Sequence, residues 1–167
     1  MSLEQRLSDL GLVLPEAAAP GARYAAVVVH GEVAYVSGQL PREGDRVVVA
    51  GKLGRDVTVA AAQGGARIAL LRALAALRDE LGDLGRVRQV LKLTVYVNST
   101  EEFVDHSAVA DGASTLIYDL FGPERGRHAR TSVGVAQLPR NGCVELDLVA
   151  RLVCRPGNTQ PEDSTPP

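Results

Sequence analysis

Aromatic and sulfur-containing side chains are scarce in this sequence. Its 167 residues include no Trp, two Phe, four Tyr, two Cys and one Met. A core with so few large rings has to be built from Ala, Val and Leu, and a hydrophobic content of 46% is enough for one sizeable core. We therefore predict one globular domain packed by small and branched aliphatic side chains.

Long apolar runs and blocks of like charge are also missing. No stretch approaches the roughly 18 apolar residues that a membrane span needs, and the first residues lack the basic and apolar regions of a secretory signal. The 18 basic and 20 acidic residues alternate along the chain. A basic face, which is typical of nucleic-acid binders, is therefore not predicted. These features favour a cytoplasmic protein without a membrane partner and do not favour a nucleic-acid partner.

The two cysteines predict neither a disulfide nor a metal site. Cys143 and Cys154 fall on what we interpret as one terminal strand, and residues of one extended strand cannot reach each other. Reduced thiols in a cytosolic compartment are the simpler interpretation. Their spacing does not match that of metal ligands, so no metal is expected.

The apolar periodicity predicts an α+β domain in the order β-β-β-α-β-α-β-β, with the helices on one face of a mixed sheet. We assign residues 1–21 to an N-terminal helix and linker, residues 22–154 to the domain and residues 155–167 to a disordered tail. The predicted elements are a hairpin turning at His30-Gly31, a third strand from Val47 to Ala50, a helix from Thr58 to near Gly82, a strand from Val90 to Val97, a helix from Glu101 to Phe121 capped by Ser99 or Thr100, and two final strands.

Two glycines, Gly64 and Gly65, lie inside the first long helix, where each costs about 1 kcal/mol of helix propensity relative to Ala. We interpret them as a place where the helix packs closely on the sheet. They do not form a phosphate loop, because no G-x-G-x-x-G or Walker spacing surrounds them. With helices on one side only, the other sheet face needs a cover, and association is one way to provide it.

A series of short motifs carries a family resemblance. Tyr24 precedes the hairpin, and the motifs that follow are YVSGQLP at 35–41, KLTVYV at 92–97, RTSVGV at 130–135, LP at 138–139 and VEL at 144–146. In this order and spacing they resemble the Rid (YjgF/YER057c/UK114) family over roughly residues 22–152. The resemblance implies a chorismate-mutase-like fold that assembles as a homotrimer, with ligand clefts between neighbouring subunits.

The resemblance also implies a site. In catalytically competent members an arginine holds the substrate carboxylate, and the matching positions here are Arg130 with Glu145, Tyr24, Ser37 and Gly38. A guanidinium pairs with a carboxylate through two parallel hydrogen bonds, which a lysine cannot reproduce. Glu145 can orient a water and shuttle protons. Ser37 and the Gly38 N–H can hydrogen-bond the ligand, and the Tyr24 ring can close the cleft.

The implied activity is that of an enamine/imine deaminase, a hydrolase acting on reactive 2-aminoacrylate-like intermediates of amino-acid metabolism. Imines are already electrophilic, so positioning and proton transfer suffice and no cofactor is expected. One alternative is a binding protein that holds a keto acid or amino-acid analogue in the same cleft without turnover. A second is an endoribonuclease or translation inhibitor, a label attached to this superfamily, which the acidic charge balance and the few aromatics do not favour.

Each site residue also has a purely structural interpretation. Arg130 can form an ion pair with Glu145, Tyr24 can cover the edge of the core, and Ser37 can hydrogen-bond at the end of its strand. The family often has Pro two residues before the arginine, whereas this chain has His128. We interpret His128 and His106 as surface residues. The family's polar residue on the second helix is not placed, because residues 106–111 do not align cleanly.

Overall fold

Three helices pack on one face of a five-stranded sheet in this computed structural model, which describes residues 2–17 and 23–153. The predicted α+β class is confirmed. The elements are α1 Leu3–Asp9, β1 Val27–His30, β2 Val33–Gln39, β3 Arg42–Glu43, β4 Arg46–Val47, α2 Val59–Leu81, β5 Val87–Asn98, α3 His106–Arg125, β6 Ala129–Val135 and β7 Val144–Leu152. The order of the strands in the sheet is β1-β2-β7-β5-β6, and β5 and β6 are its one parallel pair among the described strands.

The predicted third strand is wrong in extent and place. The segment from Val47 to Ala50 does not join the sheet. Instead, β3 and β4 form a separate two-stranded hairpin around Gly44, and Ala50 makes an isolated bridge to Gly142. Strand β2 already pairs with β1 on one side and with β7 on the other. No edge of β2 is left for a third consecutive strand.

Helix α2 has the limits that its capping residues predict. The Thr58 side chain accepts a 3.2 Å hydrogen bond from a backbone N–H of the first turn, and Gly82 ends the helix at φ 72°. Of the two internal glycines, only Gly65 packs closely, since a Cβ there would lie 3.0 Å from Cys143 Sγ. Gly64 has open space around it. Cys143 is a buried free thiol, and burial raises its pKa to about 12.

Helix α3 begins later than predicted. It starts at His106 after Asp105, which makes no capping hydrogen bond through its side chain, and not at Glu101 after Ser99 or Thr100. The backbone N–H of Thr100 donates to Leu53 O at 3.0 Å, so this segment is held in an extended contact and cannot start a helix. The regular helix ends as predicted at Phe121, because the next residue, Gly122, has the non-helical φ of 77°.

The core lies between the helices and one sheet face. Alternate residues of β5 and β7 point into it and are fully or almost fully buried, namely Leu93, Val95, Val97, Leu146 and Leu148. Leu3 and Leu7 attach α1 to the same core. Residues 18–22, Cys154 and the rest of the tail lie outside the described residues, so the linker and tail remain predictions. Among the described helices, none has the length and apolar character that crossing a membrane requires.

Candidate functional site

Arg130 lies on the edge strand β6, on the face that the helices cover. It pairs with Leu93 in the parallel register, and its side chain reaches α3. Nη1 donates to Asp111 Oδ1 at 2.7 Å and to Ser114 Oγ at 3.1 Å, and the side chain is 25% exposed. Among the described residues, Nε and Nη2 have no hydrogen-bond partner. Two donors of an already oriented guanidinium therefore remain for a ligand carboxylate.

His128 belongs to the same network, although the sequence led us to place it on the surface. Its Nδ1 lies 2.7 Å from Gly126 O and its Nε2 lies 2.9 Å from Ser114 Oγ. A carbonyl oxygen can only accept, so Nδ1 of the neutral ring carries the proton and donates to Gly126 O. Nε2 then accepts a hydrogen bond from the Ser114 hydroxyl. Ser114 and His128 are 14 positions apart, and no local sequence motif predicts that they form a pair.

Glu145 lies on β7 with its side chain on the uncovered sheet face, opposite the core residues Val144 and Leu146. Its carboxylate lies against the backbone of Gly38, where an added Cβ would come within 2.1 Å of Oε1. Only glycine leaves room for that contact. Burial, and to a smaller extent the charge of Asp147, raises the pKa of the Glu145 carboxyl above its ordinary value.

Replacing Glu145 with Gln is expected to stabilise the protein near neutral pH. Because the folded-state pKa is raised, the folded chain binds more protons than the unfolded chain between the two values, so the free energy of unfolding falls as pH rises through that window. The free energy of unfolding of Glu145→Gln should exceed that of the wild type above about pH 4, and the difference should vanish below that pH. Thermal unfolding from acid to neutral pH measures it, with exposed Glu102→Gln as the control for removing one carboxylate. A less stable Glu145→Gln at neutral pH would contradict the assigned direction.

Ser37 precedes Gly38 in the chain, at an irregularity in the pairing of β2 with β7. The Ser37 hydroxyl donates to Ala25 O at 2.7 Å, so its proton is used inside the chain and its oxygen remains as an acceptor. Tyr24 precedes Ala25 and is 57% exposed. The structure thus brings Ser37, Gly38 and Glu145 together on the uncovered face, and Tyr24 directly precedes Ala25, whose carbonyl accepts from Ser37.

A cleft of about 620 Å³ lies at the start of α3. It contains the pair Ser99 Oγ and His106 Nε2, 3.2 Å apart. It also contains Lys52, whose ammonium donates to Asn98 Oδ1 at 2.7 Å, to Ser99 O at 3.4 Å and to Ala136 O. All three donors of the ammonium are occupied, so Lys52 joins three chain segments and has none left for a ligand. The sequence drew no attention to this group.

Comparison with known proteins identifies the family. The sequence model described as "YjgF/chorismate_mutase-like, putative endoribonuclease" matches residues 4–152. The chain belongs to this YjgF family. The resemblance inferred from the motifs is thereby confirmed, and so is the chorismate-mutase-like fold.

Similar proteins come from several organisms. "Protein TCP17" of Trypanosoma cruzi is 47% identical over 146 residues, which cover 87% of this chain and 91% of that protein. The crystal structure of Atu1372 from Agrobacterium tumefaciens, described as having unknown function, is 44% identical with a TM-score of 0.83, covering 90% and 92% of the two chains. A structure from Shewanella oneidensis, described as a putative endoribonuclease, is 34% identical with a TM-score of 0.86, covering 91% and 100%.

Within one YjgF-family chain, the expected site residues form two separate groups. Arg130 lies on the covered face of the edge strand, whereas Glu145, Gly38 and Ser37 lie on the uncovered face, and β5 separates β6 from β7. The sequence also left open an ion pair between Arg130 and Glu145. That pair does not form within the chain, because Arg130 pairs with Asp111. We call Arg130 with its α3 partners the arginine half-site, and Glu145 with Ser37, Gly38 and Tyr24 the glutamate half-site.

Proposed function

We propose that this chain hydrolyses 2-imino and 2-enamino acids to 2-oxo acids and ammonia, in clefts between the subunits of a homotrimer. The observation that carries the proposal is that Asp111 and Ser114 hold the Arg130 guanidinium in place through Nη1, while its Nε and Nη2 find no hydrogen-bond partner within the described part of the chain. Family membership and the Glu145 carboxyl with its raised pKa support it.

The separation of the half-sites favours a composite site. An edge strand is free to meet another copy, and the uncovered sheet face exposes apolar groups such as Val28 at 54% and Tyr35 at 51%. Apolar surface of this kind is typical of an interface. In a ring of three copies the contacts are head-to-tail and join two different surfaces of the chain. In the proposed trimer these two surfaces carry the arginine half-site of one subunit and the glutamate half-site of the next. Neither half-site is complete without its neighbour.

The chemistry follows from the two half-sites. Arg130 of one subunit binds the ligand carboxylate through Nε and Nη2 and fixes the orientation of C2. Glu145 of the next subunit takes a proton from a water as the water oxygen bonds to C2 and the iminium π electrons move to nitrogen. A carboxyl with a raised pKa accepts that proton more readily than an ordinary one and can release it again. The Gly38 N–H and the Ser37 oxygen border the water, and Tyr24 limits the access of solvent.

A mixing experiment tests both the activity and the composite site. Wild type, Arg130→Ala and Glu145→Gln are assayed for ammonia release from freshly generated imines, alone and after co-expression of the two variants in equal amounts. Each variant alone should keep no more than about a hundredth of wild-type activity. The mixed trimers should recover about a quarter of wild-type activity, because a complete site needs Arg130 from one random subunit and Glu145 from the next.

The matched control is the double variant co-expressed with wild type. A composite site again leaves about a quarter of the sites complete, whereas a site within one subunit leaves about a half. If the mixture of Arg130→Ala and Glu145→Gln recovers no activity, a site shared between two subunits is ruled out. If the wild type releases ammonia from none of the imines, the proposed deaminase activity is ruled out.

Binding without turnover is the second candidate, because the free donors of Arg130 do not depend on Glu145. It predicts that a 2-oxo acid raises the melting temperature of wild type but not of Arg130→Ala, while no imine is hydrolysed. Isothermal titration and the ammonia assay on one preparation separate the two candidates. Turnover in that preparation would exclude the binding protein.

A further inference from the structure

Glu145 shares the uncovered sheet face with a second carboxylate, that of Asp147. The two residues are two positions apart on β7, so their side chains leave the same face from Cα atoms about 7 Å apart. In the pairing of β5 with β7, Tyr96 lies opposite Glu145 and Thr94 lies opposite Asp147. Both acidic side chains are half-buried. The charge of either carboxylate therefore acts on the other through surroundings that screen it less than water does.

Tyr96 treats the two carboxylates unequally. Its hydroxyl reaches diagonally across the strands and donates to Asp147 Oδ2 at 3.0 Å, whereas the Glu145 carboxylate has no hydrogen-bond partner within the described residues. The bond to Asp147, and to a smaller extent burial, raises the pKa of the phenol, so Tyr96 stays protonated and keeps donating. A hydrogen bond to a carboxylate stabilises its ionised form. Within this pair, the donor thus favours the negative charge on Asp147.

We propose that Asp147, held by Tyr96, is a positioning residue whose negative charge makes Glu145 the carboxylate that takes up the proton of the attacking water. The inference rests on the proposed function and assigns the group that tunes the glutamate half-site. Two like charges on one sheet face repel each other, so binding a proton there relieves the repulsion. Because Tyr96 stabilises the charge on Asp147, the proton binds to Glu145. The raised pKa of the Glu145 carboxyl, caused by burial and then by Asp147, has the direction expected.

Other titratable side chains reach this face from the strands that flank β7. They are Tyr35 on β2 and Lys92 on β5, and Arg151 lies on β7 itself. Lys92 donates to Thr131 Oγ1 at 2.6 Å, in the direction of β6 and away from β7. Arg151 lies at the opposite end of β7 from Glu145. In the proposed trimer Arg130 of the neighbouring subunit joins these groups. Among those of the chain itself, Asp147 is the charged group next to Glu145 on its own strand face.

The pH dependence of kcat/KM tests this assignment. Glu145 has to be ionised to take the water proton, so activity rises with pH through its pKa, and Asp147→Asn removes a charge that raises this pKa. The acid limb of Asp147→Asn should therefore lie at lower pH than that of the wild type. Well down the wild-type limb the variant should be the more active protein, whereas its plateau should be lower because a weaker base accepts the proton less readily. Asparagine can still accept the Tyr96 hydrogen bond, so the local geometry is kept.

The matched control is Asp119→Asn, which removes an exposed carboxylate from α3 on the other side of the sheet. It should leave the acid limb in place. Tyr96→Phe keeps both carboxylates but removes the donor that distinguishes them, so they share the proton and the limb should broaden. An active wild type whose limb stays in place in Asp147→Asn would overturn this inference alone. Wild type without ammonia release would overturn it together with the deaminase, so the two failures are distinct.

A double-mutant cycle tests the repulsion between Glu145 and Asp147 without turnover. Above about pH 4, Glu145→Gln removes a carboxylate that Asp147 repels, so it should stabilise the wild type more than it stabilises Asp147→Asn. Urea unfolding at one protein concentration measures the four proteins at neutral pH and again well below about pH 4, where Glu145 is protonated and the difference should vanish. The same cycle with Asp119→Asn should be additive. Additive effects of Glu145→Gln and Asp147→Asn at neutral pH would contradict the inference.

Discussion

Arg130→Ala is expected to lower kcat/KM for imine hydrolysis by about 10²- to 10⁴-fold. Two charge-assisted hydrogen bonds to a carboxylate, at about 1.5–3 kcal/mol each, account for a loss of this size. The fold should survive, because Arg130 is on an edge strand and its partners Asp111 and Ser114 can turn to solvent. Ammonia release measures the activity, and circular dichroism with sedimentation measures fold and assembly.

Arg130→Lys separates charge from geometry. A lysine ammonium keeps the charge but cannot form two parallel bonds to one carboxylate, so most of the loss should remain. Exposed Arg88→Ala on β5 removes an arginine outside both half-sites and should leave kcat/KM unchanged. An Arg130→Ala protein that folds and sediments as the wild type does and is fully active would show that Arg130 is not part of the site.

Gly112→Ala is expected to destabilise the protein by roughly 1–3 kcal/mol, the usual cost of overpacking. Gly112 lies where α3 crosses α2, and a Cβ there would be 2.4 Å from Gln63 O and 2.7 Å from Gln63 Cα. Both atoms belong to the backbone of a helix, so the two helices have to move apart to admit one methyl group. Urea unfolding measures the change in the free energy of unfolding.

Gly64→Ala is the matched control, one residue from Gln63 in the facing helix. Nothing lies within 4 Å of a Cβ at this position, and its φ is not in the left-handed region. Alanine there should stabilise the protein by roughly 0.5–1 kcal/mol, because it restricts the unfolded chain and favours the helix. The same substitution is thus expected to act in opposite directions at two neighbouring glycines. Equal effects at both positions would show that helix propensity, and not the contact between the helices, decides the outcome.

Local signals were sufficient for most of the secondary structure. Thr58 and Gly82 limit α2 through hydrogen bonds and backbone angles that depend on a few adjacent residues. The third strand and the start of α3 were predicted wrongly because distant segments decide them. Strand β7 occupies the edge of β2, and Leu53 binds the backbone of Thr100. Neither contact can be predicted from the residues adjacent to it in the sequence.

The sequence predicted which residues belong to the candidate site, but it did not predict how they are arranged. The motifs selected Arg130 and Glu145, and in the structure buried and half-buried residues alternate along β7, with Glu145 among the half-buried ones. Strand β6 has no such alternation, since both of its faces are partly exposed at the sheet edge. Its sequence therefore could not tell which face carries Arg130, and the pairing of Ser114 with His128 was equally hidden.

By itself, the sequence determined the class of fold, the family and the residue types available for chemistry, since periodicity, caps and motif spacing are properties of the chain read in order. Only the tertiary structure decided that Arg130 and Glu145 belong to opposite sheet faces and that His128 lies beside the arginine. The physical reason is that the side on which a residue lies depends on strand register and on the helix packed above it. Both are set by contacts between segments far apart in the chain.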